Sequence, residues 1–429
     1  MSAVRRGTLA ALALLVAVWT FAITWEWSFI DDAGLKTAVN QYTHSKGAIG
    51  GLWDLFTDLQ RSDRSWGLFR PAYQFWNTLF YLTNPALAHG IRLIMVLLVL
   101  LVPAYTIGRD RITIVLAVAL LAANVTLYLG LSYLSLQELT GLAFVALGLV
   151  TGDRRRSVLW LIAAWFKTPF VWLFLAWSVY LLIKGKKWAW INLAVGVATV
   201  WLAAEASRRG SYTQGFSLAN VRAAIKTAIP LFFWPGVVGL ASVVALRPRL
   251  RTLAWRDPLA WVLLVGGALY LGNLLPWGHA DSYYGAPPIW LMSVGVMRII
   301  WPAERGTYRL ARPIAAVATV VAVLGAVHVS RKMTTQQLNR NAAVVGVRDW
   351  AETIPADQPI ALNAPEGAQR LGEILDFHGH PHVIAYIADT DASTATKYYI
   401  FFHDQSNGNP RLQQKVIRHF AFATIYQVD

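Results

Sequence analysis

Apolar runs close to the ~20 residues a helix needs to cross a bilayer recur along this chain as far as about residue 330, and nothing constrains its fold more. We place spans at about 7–25, 85–108, 112–130, 133–150, 188–206, 227–246, 258–276, 286–301 and 313–329. Composition agrees, with 56% hydrophobic and 14% charged residues, against ~45–50% and ~25% in soluble domains. There is no cysteine, so disulfides, a thiolate nucleophile and zinc–thiolate sites are excluded. The opening "MSAVRRGTLAALALLVAVWTFAITW" has the basic start and apolar stretch of a signal peptide. Its run is long and no small-x-small cleavage site is clear, so we read an uncleaved first span.

A net charge of +15 would suit a nucleic-acid binder, but its placement argues otherwise. The cations fall in alternate short loops: Arg5/Arg6, Arg109/Arg111, Arg154–Arg156, Lys184/Lys186/Lys187, Arg247/Arg249/Arg251/Arg256 and Arg305/Arg309/Arg312. That is the positive-inside pattern of a membrane protein, and no nucleic-acid partner is expected. It holds only if the apolar segment 158–183 begins and ends on the same side. Lys167-Thr168-Pro169 interrupts that segment, and proline removes a helical hydrogen bond. A broken or re-entrant helical pair satisfies both constraints; the alternative is one straight span kinked at proline. With the pair, Asp31–Asp32, the loop 277–285 and everything after about residue 330 share the extracytoplasmic face.

Two parts lie outside the membrane. Residues 26–84 form a long first external loop whose "IGGLWDLFTDLQRS" and "SWGLFRPAYQFWNTLFYL" are amphipathic and aromatic-rich, as helices lying in the interface would be. After about residue 330 charge rises and apolar runs shorten. Helices are expected near 337–353 and 366–376, with strands near 359–363, 383–388, 397–403 and 420–428. The domains are therefore 1–330, a transmembrane domain including loop 26–84, and 331–429, a soluble α/β domain.

Outside the cytoplasmic loops, a handful of ionisable residues stand in or beside the apolar runs or in the loops that join them. "WSFIDDAG" at 27–34 sets Asp31 and Asp32 where the first span emerges. They are either plain loop charges or a general base with an electrostatic partner, since adjacent carboxylates push their pKa values apart and can divide roles. Lys167, flanked by "LIAAWF" and "TPFVWLFLAW", is costly in hydrocarbon and a functional candidate on that ground, unless it snorkels to the surface. Arg92 in "AHGIRLIM" raises the same question near the outer end of the second span. Arg70 in "LFRPAY" reads as an external loop cation, and Glu138 in "LSLQELTG" as either a packed polar residue or a cavity liner. The loop "WGHADSYYGAPP" at 277–288 carries His279, Asp281, Tyr283 and Tyr284. His378, His380 and His382 alternate in "FHGHPH", but no carboxylate completes a zinc site.

In this order the pieces resemble the GT-C superfamily of glycosyltransferases, polytopic enzymes that take sugars from polyprenyl-phosphate carriers. Asp31 and Asp32 match an acidic pair in the first external loop. "FRPAYQFWNTLFYLTNPALAHGIRLIMVLL" is similar to the Arg-Pro and aromatic stretch before the second span, "FKTPFVWLF" to a lysine-X-proline break, and "SYYGAPP" to a Tyr-Tyr…Pro loop. The resemblance covers roughly residues 1–330. It departs at Thr168, where many relatives carry Glu, and the C-terminal domain matches no family.

The resemblance implies a membrane all-α polytopic bundle of about nine to eleven transmembrane helices, including the broken pair, with a small C-terminal extracytoplasmic α/β domain. It implies an enzyme of the bacterial inner membrane, multi-pass, with its active site outside. A sugar would pass from a polyprenyl-phosphate donor to a hydroxyl of a cell-envelope glycan, a lipid or a protein such as a pilin; arabinofuranose is one pentose of this kind. Asp31 would be the base and Asp32 its tuning partner. Lys167, Arg70, His279, Tyr283 and Tyr284 would hold the donor phosphate, and Arg92 and Glu138 would line the cavity. A divalent metal is optional, and no other cofactor is called for. The rival class is a transporter or flippase of a lipid-linked sugar. It would need charged residues on a pathway to both faces and often repeat symmetry, whereas the candidates here cluster on one side.

Overall fold

The computed structural model describes residues 32–107, 111–122, 137–210, 217–226, 257–274, 284–300, 343, 345–355, 357–362, 384–386, 397–402, 415–420 and 423–427. The expected spans at 7–25, 227–246 and 313–329 lie outside these residues. So do Asp31, His279, Tyr283, the helix near 366–376 and the three histidines at 378–382.

Residues 32–80 are largely helical: α1 (Asp32–Lys46), α2 (Ala48–Trp66) and α3 (Pro71–Phe80). Proline opens α3, where its missing N–H is no loss. Gly67 closes α2 in the left-handed conformation (φ 88°, ψ 23°), with the N–H of Gly67 reaching Arg64 O and that of Leu68 reaching Asp63 O. This is a helix stop that glycine adopts without steric cost. Val39, Leu55, Phe80, Tyr81 and Ala88 form a small core beneath the three helices. Lys36 fastens it by donating to the carbonyls of Tyr81 (2.7 Å) and Thr83 (3.0 Å).

The bundle that follows comprises α4 (Pro85–Ile107), α5 (Arg111–Ala122), α6 (Gln137–Leu149), α7 (Asp153–Phe166), α8 (Val171–Ile183), α9 (Ala189–Arg209), α10 (Pro258–Leu274) and α11 (Ala286–Ile300). Among the described helices, Ala86–Ile107 and Ala189–Arg209 are long and apolar enough to cross a membrane; α6, α10, α11 and Thr168–Ile183 are shorter and apolar. One core joins them, from Val96 and Leu100 on α4 through Trp160 and Trp177 to Trp290 on α11. Trp290 donates to Val99 O at 2.9 Å and Trp160 to Val145 O at 3.1 Å, so the buried indoles are satisfied while bridging helices. Gly148 makes room for the second bridge: a Cβ there would stand 2.2 Å from Trp160 Nε1.

α7 and α8 fold back on each other. Trp177 Nε1 donates to Ser157 Oγ at 3.1 Å, the Trp160 and Trp177 rings meet edge to face at 5.5 Å, and the Arg156 guanidinium lies 4.6 Å from the Trp177 ring centre. Contacts symmetric about residue 167 define an antiparallel hairpin. Both ends of segment 158–183 therefore lie together, and the straight proline-kinked helix is excluded.

Near the C-terminus five strands, β1 (Ile360–Leu362), β2 (Ile384–Tyr386), β3 (Tyr398–Phe402), β4 (Lys415–His419) and β5 (Ala423–Gln427), form a sheet of order β2-β1-β3-β5-β4. β1 pairs in parallel with β2 and β3, while β5 is antiparallel to β3 and β4. Val347 and Trp350, on the helical stretch 345–351, pack against Ile360, Leu362, Ile400 and Ile425. The expected strands near 359–363, 383–388, 397–403 and 420–428 are present, slightly shortened. β4 was not expected: "KVIRH" is an edge strand, mostly exposed and irregular between Val416 and Arg418, so no inward-outward alternation marks it.

Candidate functional site

The hairpin tip is built by its backbone. The Lys167 N–H still reaches Ala163 O at 3.0 Å, but the residue then turns extended (φ −144°, ψ 112°). A short turn, Thr168–Phe170, contains Pro169, which has no N–H to continue the helical ladder, and Phe170 N–H returns to Lys167 O at 3.0 Å. Lys167 is thereby fixed where one helix stops and the next begins.

Its side chain is buried and does not snorkel. The ammonium lies 2.8 Å from Glu138 Oε1 and 4.2 Å from the centre of the Tyr284 ring, with the two charged side chains only 9% and 3% exposed. The Lys167–Glu138 contact is an ion pair rather than a well-aligned hydrogen bond. Glu138 Oε2 has no hydrogen-bond partner among the described residues. Glu138 sits in the first turn of α6, where the helix dipole favours a negative charge. Two residues on, Thr140 Oγ1 accepts from Arg92 Nη1 at 2.9 Å, and the fully buried Arg92 guanidinium lies 5.7 Å from the Phe80 ring centre. The start of α6 thus meets two buried cations from two other elements.

Arg70 is the third cation. It pairs with Asp63 through both its Nε (3.2 Å) and its Nη2, and lies 4.6 Å from the Tyr73 ring centre. Burial acts to lower its pKa, but Asp63, Tyr73 and Glu138 together outweigh that and hold it above its usual value, so the guanidinium stays charged. Arg70 is thus more than a free loop cation: the left-handed turn at Gly67 folds the chain back and sets Arg70, half-buried, against Asp63 of α2. Residues 67–70 run as a strap, pinned by Thr168 Oγ1 donating to Phe69 O (3.0 Å) and Ser207 Oγ to Gly67 O (3.2 Å).

Between strap, hairpin tip, α9 and α10 lies a cavity of about 210 Å³. Arg70, Lys167, Thr168, Ser207 and Asn273 are polar residues of its lining, and Trp172, Val200, Ala203 and Leu274 supply apolar wall. Ala204, also on its wall, is exposed, so the cavity reaches the outer surface at α9. Two cationic residues in the lining of a largely apolar chamber suit an anion attached to a hydrocarbon chain. Arg92, Glu138 and Tyr284 are not among its lining residues; Glu138 and Tyr284 stand behind Lys167, and Arg92 is joined to them through α6. Asp32 is the first residue of α1; its side chain, with Asp31, His279 and Tyr283, falls outside the described residues. Two contributors were missed from sequence, Asp63 and Thr140. A glycine after a helical stretch, as at Gly67, is the signal for the turn that returns Arg70 to Asp63; nothing local marks Thr140.

No family model matches the chain, and no curated protein matches it. Among solved structures the chain is similar to ArnT from Cupriavidus metallidurans, crystallised in the apo state, with a TM-score of 0.53 over 98% of this chain and 97% of that one. Identity is 12%, so the likeness is one of fold, and it extends over nearly the whole length of both chains.

Proposed function

We propose that the chain is an integral-membrane glycosyltransferase of the GT-C type that moves a sugar from a polyprenyl-phosphate carrier to an acceptor hydroxyl. The observation that carries the reading is a buried lysine at a helix break, facing a largely apolar cavity beside a second cation. The full-length fold likeness to ArnT supports it.

In the reaction the acceptor oxygen bonds to the anomeric carbon as the bond from that carbon to the phosphate oxygen breaks. The electron pair leaves with the phosphate, and the acceptor proton passes to a base. Asp31 is that base and Asp32 tunes it. Lys167 and Arg70 stabilise the charge gathering on the phosphate, with His279 and Tyr283 completing that end and Tyr284, packed against the Lys167 ammonium, positioning the lysine. The prenyl tail lies along Trp172, Val200 and Leu274 and leaves past Ala204. The host membrane is the bacterial inner membrane, with residues 1–330 as the catalytic domain. The site and the domain 331–429 face outward, where the acceptor is a glycan, a lipid or a protein. The transferred sugar is a pentose such as arabinofuranose.

The test is transfer in nanodiscs from radiolabelled polyprenyl-phosphate sugars to a membrane-extract acceptor pool. The native chain should transfer label, Asp31→Asn should lose about a hundredfold or more in rate, and Lys167→Met should raise the donor KM. Unimpaired transfer by Asp31→Asn/Asp32→Asn would remove the acidic pair from the mechanism. Movement of the lipid between leaflets without transfer would replace the enzyme with a flippase.

A further inference from the structure

We propose that Glu138 sets how the site discriminates between phosphate groups of different charge, and so promotes release of the spent carrier. The inference rests on Lys167 being the donor-phosphate cation, as in the reading above. Lys167 lines the cavity, whereas Glu138, 2.8 Å from its ammonium, does not. The lysine therefore stands between the chamber and a fixed carboxylate. Both groups are buried, so water screens little of their fields. Glu138 Oε2 has no hydrogen-bond partner among the described residues, so its charge is less fully compensated than that of a well-bonded carboxylate.

Transfer changes the charge on the bound lipid. Before the anomeric bond breaks the carrier is a phosphodiester with one negative charge; afterwards it is a monoester carrying close to two near neutral pH. Lys167 alone would hold the product more tightly than the donor, which would leave the enzyme trapped on its own leaving group. A fixed negative charge behind the lysine opposes both ligands in proportion to their charge, about twice as strongly for the monoester. Lys167 supplies close contact, and Glu138 keeps the dianion from binding too well.

The test needs no knowledge of the sugar. The full chain in nanodiscs is titrated with a long-chain polyprenyl phosphate and with its methyl ester, a monoanionic diester, and the ratio of the two Kd values is compared across variants. Glu138→Gln should tighten the monoester about tenfold, ~1.4 kcal/mol, and the diester by distinctly less, while Glu138→Asp, which keeps the charge, stays near the native ratio. Loosened packing would weaken both probes and leave their ratio alone, so weaker binding of both, or an unchanged ratio in Glu138→Gln, overturns the proposal. Glu138→Ser carries the same test if the glutamine variant does not fold. Lys167→Met binding both probes with native affinity would instead remove Lys167 as the phosphate cation, a failure of the functional reading visible apart from the charge ratio.

Discussion

At the scale of single residues, the buried cations differ in what they hold. Lys36 serves structure, joining α1 to the carbonyls just beyond α3. Burial lowers its pKa from 10.5, so the unfolded chain binds this proton more tightly than the folded one. Folding stability then rises with pH across the window between the lowered value and 10.5, and carries a constant penalty below it. A neutral amine still has two N–H donors for its two carbonyls. Melting temperatures compared between the native chain and Lys36→Met should therefore diverge in favour of the native chain as pH rises toward 10.5; a constant difference would contradict the linkage. Thr140 is the complementary case. Thr140→Val removes one acceptor of the fully buried Arg92 guanidinium and should cost about 1–3 kcal/mol in denaturant unfolding. Lys167 was legible in the sequence because a lone charge inside an apolar run has few bland explanations. Glu138, Asp63 and Thr140 were not legible in their roles, because each depends on which distant element packs against it.

At the scale of elements, the two breaks in helical ladders position the site. Pro169 announces the first, and together with the cations that flank segment 158–183 it predicts a folded-back pair. The second, at Gly67, depends on a left-handed residue and on a close approach: a Cβ on Gly210 would stand 2.1 Å from Gly67 N. Gly210→Ala should therefore push the strap off α9 and displace Arg70, which would weaken binding of a polyprenyl phosphate more than it lowers the melting temperature. Gly148→Ala is the control at the other end of the bundle. It crowds Trp160 and should cost about 1–3 kcal/mol of stability with ligand affinity retained once folded. β4 escaped notice because an exposed edge strand carries no periodic apolar signature, whereas β1, buried throughout, stood out as an apolar run.

At the scale of the whole molecule, the absence of cysteine makes the topology directly testable. Arg155→Cys and Lys186→Cys lie in exposed positions at the two ends of the hairpin, and both should react with a membrane-impermeant maleimide from the cytoplasmic side. Labelling from opposite sides would be incompatible with a folded-back pair. The hairpin also sets a depth. Arms of 14 and 13 residues rise only about 20 Å, some 10 Å less than the thickness of a hydrocarbon core. In the proposed topology, with both feet at one surface, the tip would stop well short of the other and leave a vestibule above it. Under the proposed function, a lipid-borne headgroup would descend only a short way to meet Lys167, and the sugar would not have to shed its water for a full crossing of the bilayer.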